Sequence, residues 1–203
     1  MTFFLLTLIY HFMPYIWLHP QEEYFPSSIE NYIHDNQLWC NHTLIANHSE
    51  PNIFDFQREQ NHSFPSKEHL YHYCEFRPTE KSKIGFKNKI NRAPVYVDYK
   101  NFGHFFEIKY FFFYGYNGAY KILDFFDSFE FSYGDHFIDI EHITLRFTNK
   151  NQRIALEKVY FGAHTSVEGI WVDIKDVEWK KGRPVIYAAL GAHGLYPRKG
   201  AFP

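Results

Sequence analysis

The stretch "GDHFIDIEHITLRF", Gly134–Phe147, decides how this chain is read. Taken with a period of two, Phe137, Asp139, Glu141, Ile143, Leu145 and Phe147 share one face of a strand. Ile138, Ile140, His142, Thr144 and Arg146 share the other. The first face ends in three apolar residues, which makes it the core side of a sheet. Asp139 and Glu141 extend that same face toward one end of the strand. Two ionised carboxylates on an inward face repel each other and lose hydration. That costs roughly several kcal/mol unless a cation or hydrogen-bond donors compensate. The expectation is a strand whose inward face changes from core, at Ile143 to Phe147, to a polar site at Asp139 and Glu141.

Strand-like runs lie on both sides of it. "APVYVDY", "HFFEIKYFFFYGY", "RIALEKVYFGAH", "GIWVDI" and "RPVIYAALGAH" follow from Ala93 onward, separated by Gly, Asn, Asp or Lys-Gly turns. "WKKGRP" reads as a turn between strands. No run has the length and 3.6-residue period of a long amphipathic helix. The aromatic content, 21% with 23 Phe and 16 Tyr, favours pleated, half-buried surfaces. These features predict a mainly β chain: an antiparallel β-sandwich with one or two short helices and a long irregular excursion. The 203 residues suffice for a single domain, assigned to residues 13–203 with a polar insertion at 40–92.

Upstream, "HPQEEYFPSSIENYIHDN" holds a helix start. Ser27 is the expected N-cap, Glu30 its capping-box partner, and Ile29, Tyr32 and Ile33 share one face. Residues 1–12 are an apolar run of signal-peptide length that lacks a basic start and a small-residue cleavage site. They read either as a signal segment or as the first strand or helix of the domain. Sequons at Asn41, Asn47 and Asn61 suit a secretory or vacuolar route, with a cytoplasmic location left open. Cys40 and Cys74 are either a disulfide or two thiols. His42, His48, His62, His69 and His72 in the insertion read as solvated surface residues. The net charge of −2 gives no basic excess for nucleic acid and no polybasic run for an anionic membrane. Oligomeric state is not legible.

His136 precedes the carboxylates at a turn set by Gly134-Asp135. A histidine with two carboxylates is a mixed ligand set that suits Mg²⁺, Ca²⁺, Mn²⁺ or Zn²⁺. "FGAH" ends at His164 and "LGAH" at His193, so two strands deliver a histidine after a Gly-Ala pair. His136, Asp139, Glu141, His164 and His193 are therefore the expected metal ligands. Tyr114, Tyr116 and Asn117 of "FFFYGYNGAY", with Asp135 and His142, are the expected lining of a ligand pocket. Asp127 reads as a solvated loop residue. Three functions compete. The first is cation-dependent binding of a polar headgroup, sugar or phosphate. The second is metal-assisted hydrolysis with a histidine as acid or base. The third is a structural or interaction role in which the charges form a hydrogen-bonded network.

Several blocks together resemble the vacuolar protein sorting-associated protein 62 family: "MPYIWLHPQEEYFPSSIENYI", "APVYVDY", "FFFYGYNGA", "GDHFIDIEHITLRF", "VYFGAHTSVEGIW" and "RPVIYAALGAHGLYP", in the family's order. The resemblance runs from about Met13 to the C-terminus and is weakest over residues 40–92. The family's central block usually reads Gly-Asp-Trp-Glu-His, so Ile138 and Ile140 stand where it has Gly and Trp. The family name implies vacuolar sorting, a genetic label that specifies no chemistry. His136, Asp139 and Glu141 are also spaced as in the heptapeptide of the necrosis- and ethylene-inducing-like cytolysins. That more distant likeness implies a divalent cation on a β-sandwich that helps bind a membrane glycolipid headgroup.

Overall fold

The computed structural model describes residues 2–40, 42–47, 74–118, 120–123, 130–150, 153–162 and 169–200. In chain order its elements are α1 (Thr2–Phe12), β1 (Tyr15–Trp17), β2 (Pro26–Ser27), α2 (Ile29–Asp35), β3 (Gln37–Cys40), β4 (Thr43–Ala46), β5 (Cys74–Arg77), α3 (Glu80–Ile84), β6 (Tyr96–Asn101), β7 (Phe105–Asn117), β8 (Tyr120–Leu123), β9 (Glu130–Tyr133), β10 (His136–Lys150), β11 (Arg153–Phe161), β12 (Ile170–Asp173), β13 (Trp179–Lys180), β14 (Arg183–Ala188) and β15 (Leu195–Tyr196). The fold is mainly β, as the strand-like runs predict; its largest sheet is wholly antiparallel and the second is mixed through the parallel β1–β14 pair.

A six-stranded sheet runs β12-β11-β10-β7, with β2 and β6 sharing the far edge of β7. A four-stranded sheet is built on β14, flanked by parallel β1 on one side and by β13 and β15 on the other. One core joins the two. Ile108, Tyr110, Phe112 and Tyr114 of β7 meet Ile143, Leu145 and Phe147 of β10, and Val159 and Phe161 of β11. Ile186 of β14 and Leu195 of β15 close it from the second sheet. Smaller sheets β4-β3-β5 and β8-β9 lie outside this pair.

The two-residue period of β10 holds from Asp139 to Phe147, with the odd positions buried throughout. It fails at Ile138. That residue has φ +63°, in the left-handed region that a β-branched side chain rarely adopts, and Phe137 beyond it is exposed rather than inward.

Residues 2–12 form a helix. Leu5, Leu8, Ile9 and Phe12 pack against the core, and the Tyr110 hydroxyl donates to the Ile9 carbonyl at 2.9 Å. The second helix begins one residue later than expected: Ser28 is the N-cap, its Oγ accepting from the Asn31 N–H at 3.0 Å. Ser27 pairs with Phe113 across β2 and β7 instead. Tyr32 is buried against the Phe113 ring, with centroids 5.5 Å apart, and covers that end of the outer sheet face.

Cys40 is disulfide-bonded, and its register partner across β3 and β5 is Cys74, the chain's other cysteine. Asn47 is exposed just after β4. Asn41, Asn61, His48, His62, His69, His72 and Asp127 lie outside the described residues.

Candidate functional site

The site is built around the turn joining β14 to β15. Its backbone closes through Ala189 N–H to the Gly194 carbonyl at 2.9 Å and His193 N–H to the Ala189 carbonyl at 3.1 Å. Gly191 and His193 both take left-handed angles, φ +71° and +56°. Gly191 also meets the end of β7: its carbonyl accepts from Gly118 N–H at 2.7 Å. A Cβ on Gly118 would come within 2.8 Å of the Tyr24 ring and 3.4 Å of Gly191 Cα. Gly118 and Gly191 thus let two backbones touch, beside the turn that carries His193 inward.

His193 is wholly buried, at 0% exposure. Its ring lies flat on Tyr114, with centroids 3.8 Å apart and planes inclined by 8°. Nδ1–H donates to Asp139 Oδ2 at 2.8 Å. Nε2 faces the Tyr24 carbonyl at 3.1 Å and Glu22 Oε1 at 3.7 Å. At those distances the carbonyl takes the hydrogen bond and Glu22 acts through its charge. Every one of these neighbours is an acceptor, so both ring nitrogens carry a proton and the imidazole is an imidazolium. Burial opposes that charge, but the flanking Asp139 and Glu22 outweigh it and raise the pKa to about 8.

Glu22 is the second buried carboxylate beside His193. Its Oε1 accepts from the N–H groups of Glu23 and Tyr24 at 3.0 and 2.9 Å, and Oε2 from Gly191 N–H at 2.9 Å. Burial pushes its pKa up, yet the charged His193 beside it and the bonds from Gly191 and Tyr24 bring it below the ordinary value. Glu141 goes the other way. Burial first, and then repulsion by Asp139, push its pKa up to about 8, with His193 offsetting only part. Among the described residues no donor meets its carboxyl. On β7 the Tyr114 hydroxyl and Asn117 Oδ1 are buried without a partner among the described residues. Asn117 Nδ2 donates to the Gly134 carbonyl at 3.1 Å.

The expected residues therefore separate. Asp139, Glu141, His193 and Tyr114 come together, and Asn117 is buried at the end of β7, opposite His136. Tyr116 sits at the edge, its hydroxyl donating to Asp135 Oδ2 at 2.8 Å and its ring packed with Tyr24 and Phe137. His136 is exposed at the first position of β10, opposite Asn117. His142 lies on the opposite sheet face, between the rings of Phe111 and Tyr160, where burial and Lys109 lower its pKa. His164 is outside the described residues. Among the described residues no group of three or more His, Cys, Asp or Glu is arranged to hold a metal ion. His193, counted as a ligand from sequence, turns both nitrogens to acceptors, and His136 stays at the solvent.

Glu22 and Tyr24 escape a sequence reading. Glu22 lies 169 positions from Gly191, and its local pattern, "HPQEEYFP", resembles a solvated loop. Chemically, the cluster holds two protons that titrate near pH 8, and it ties together the segment at Glu22–Tyr24, β10 and the β14–β15 turn.

The family model for vacuolar protein sorting-associated protein 62 matches residues 4–202. No curated protein and no solved structure matches the chain significantly.

Proposed function

We propose that this chain, which belongs to the vacuolar protein sorting-associated protein 62 family, is a non-catalytic binding module whose buried polar cluster is a charged clasp. The observation that carries this reading is the placement of His193, fully buried with acceptors at both nitrogens. An imidazolium between Asp139 and Glu22 has the geometry a buried ion pair needs: a 2.8 Å bond to Asp139, and a Glu22 carboxylate held by three backbone N–H groups. Hydrolysis with His193 as the base would need one of its nitrogens free to take a proton from water, and both already face acceptors. The disulfide at Cys40 suits folding in an oxidising compartment.

A second reading has its own support. Glu141 lacks a donor among the described residues, and the Tyr114 hydroxyl is unpartnered beside it. A hard cation held by Asp139 and Glu141 would relieve both, with His193 orienting Asp139 rather than ligating. Oxygen donors favour Mg²⁺, Ca²⁺ or Mn²⁺ over Zn²⁺, and the bound ion would recruit a polar headgroup, sugar or phosphate.

Metal analysis with thermal melting separates the two. The clasp reading expects negligible metal in the purified wild type and in Asp139→Asn, and no change in melting on adding chelator. Stoichiometric metal in the wild type, lost in the variant and removed with a fall in melting temperature, would establish the cation reading instead.

A further inference from the structure

We propose that the outer face of α1, with the β13–β14 turn beside it, docks on the surface of an anionic phospholipid bilayer. α1 reads TFFLLTLIYHF and contains no Asp, Glu, Lys or Arg. Its inner side packs on the core through Leu5, Leu8, Ile9 and Phe12. Its outer side is mostly apolar as well: Phe3 is 84% and Tyr10 64% exposed, Phe4 and Leu6 are exposed with them, and the exposed polar residues Thr7 and His11 carry no formal charge with His11 neutral. A helix resting on a domain in water normally turns charged residues outward; one that is apolar all round belongs in a core or in lipid. At 11 residues α1 is too short to span, and no described helix is long and apolar enough to cross a membrane. The remaining place for such a face is the interface, lying flat among headgroups.

Charge selects a bilayer over another apolar surface. The β13–β14 turn presents Lys180, Lys181 and Arg183 around Gly182. This turn abuts the end of α1, since a Cβ on Gly182 would lie 3.7 Å from His11 Nε2. The Lys180 ammonium sits 4.7 Å from the centre of the exposed Trp17 ring, and Arg183 5.5 Å from that of Tyr15. The nearby carboxylates Asp176 and Glu178 precede the turn, and Glu178 accepts the Tyr187 hydroxyl at 2.7 Å. Exposed Phe and Leu with Trp, Tyr and Lys at the margin is the composition of a membrane-interface surface. The sequence has no long basic run; the fold makes the grouping by bringing the turn to the end of the helix. This surface lies at the start of β14 and the His193 clasp beyond its end, so the proposal is independent of the clasp.

Co-sedimentation of the full chain with vesicles tests it. Vesicles with about a quarter phosphatidylserine should bind at least about tenfold more protein than pure phosphatidylcholine, and raised salt should weaken binding. The double variants Phe3→Ser/Phe4→Ser and Lys180→Glu/Lys181→Glu should both fall to background. Ile170→Ser, which changes an exposed apolar residue on β12, should bind as wild type does. Equal binding to both vesicles, binding to neither, or wild-type binding by the two double variants would overturn the proposal. So would a soluble dimer that Phe3→Ser/Phe4→Ser converts to monomer, which gives the face to a second copy. A mature protein isolated without residues 1–12 would also overturn it.

Discussion

Replacing Glu141 by Gln should make the protein resistant to alkaline destabilisation. In the folded chain burial, reinforced by Asp139, raises this carboxyl to about 8 from an ordinary value of 4.5. Between those two values the folded state keeps a proton that the unfolded chain has released, so stability falls as pH rises through the window. At 1.36 kcal/mol per pH unit, the interval is worth about 5 kcal/mol. His193 works in the same direction. Its pKa rises from 6.5 to about 8, so its contribution is complete below 6.5 and is lost as pH rises through about 8. That adds about 2 kcal/mol. Gln keeps the shape of Glu141 and cannot ionise. The variant should therefore match the wild type within ~1 kcal/mol at pH 5 and exceed it by about 3–5 kcal/mol at pH 9, retaining the smaller His193 decline. Urea unfolding followed by tryptophan fluorescence from pH 5 to 9 measures this directly. Parallel profiles for the two proteins, or a wild type more stable at pH 9 than at pH 5, would refute the reasoning. A cation bound to Asp139 and Glu141 would produce the latter result.

Three more outcomes are expected. Asp139→Ala leaves the His193 imidazolium with one carboxylate instead of two and should cost about 3–5 kcal/mol in equilibrium unfolding at pH 6.5; a loss below ~1 kcal/mol would show that Asp139 is not an essential half of the pair. Ile138→Gly removes a β-branched side chain from a φ of +63° and should gain up to about 1 kcal/mol, a rise of a few degrees in melting temperature, although Gly enters with more chain entropy to lose. A clear fall in melting temperature would mean that Ile138's packing outweighs its strain. Reducing the Cys40 disulfide, which closes a loop of roughly 35 residues, should destabilise the chain by about 2–4 kcal/mol, read as a lower denaturant midpoint under reductant; an unmoved midpoint would contradict it.

The strands were legible where one face is plainly apolar. β10 shows its two-residue period because Ile143, Leu145 and Phe147 are unambiguous, and β7 is a long aromatic run that can only be a buried strand. The α2 cap was expected at Ser27, and the adjacent Ser28 caps instead. Pairing of Ser27 with Phe113 decided it, and that is a tertiary contact. α1 carries apolar residues on every side, so no periodicity marked a face. The left-handed angle at Ile138 contradicts its own residue type; the glycine that the family pattern has at this position is the cue that local propensity lacks. Asp139 and Glu141 stand out as carboxylates on an apolar strand face, and His193 as the end of a Gly-Ala-His run repeated at His164. What they do was not legible, because it depends on Glu22 and the Tyr24 carbonyl, far away in sequence. Ligand-type counting identifies a histidine near carboxylates; it does not reveal that both its nitrogens already face acceptors.

The charge on His193 tests the central claim most directly. Nitrogen-15 NMR of histidine-labelled protein, with His193→Asn to assign the signal, reports the protonation of each ring nitrogen. Both nitrogens should be protonated at pH 7 and titrate near 8, with spectra unmoved by Ca²⁺, Mg²⁺, Mn²⁺, Zn²⁺ or chelator. A neutral ring at pH 6.5, or a His193 signal that shifts stoichiometrically when metal is added, would contradict it.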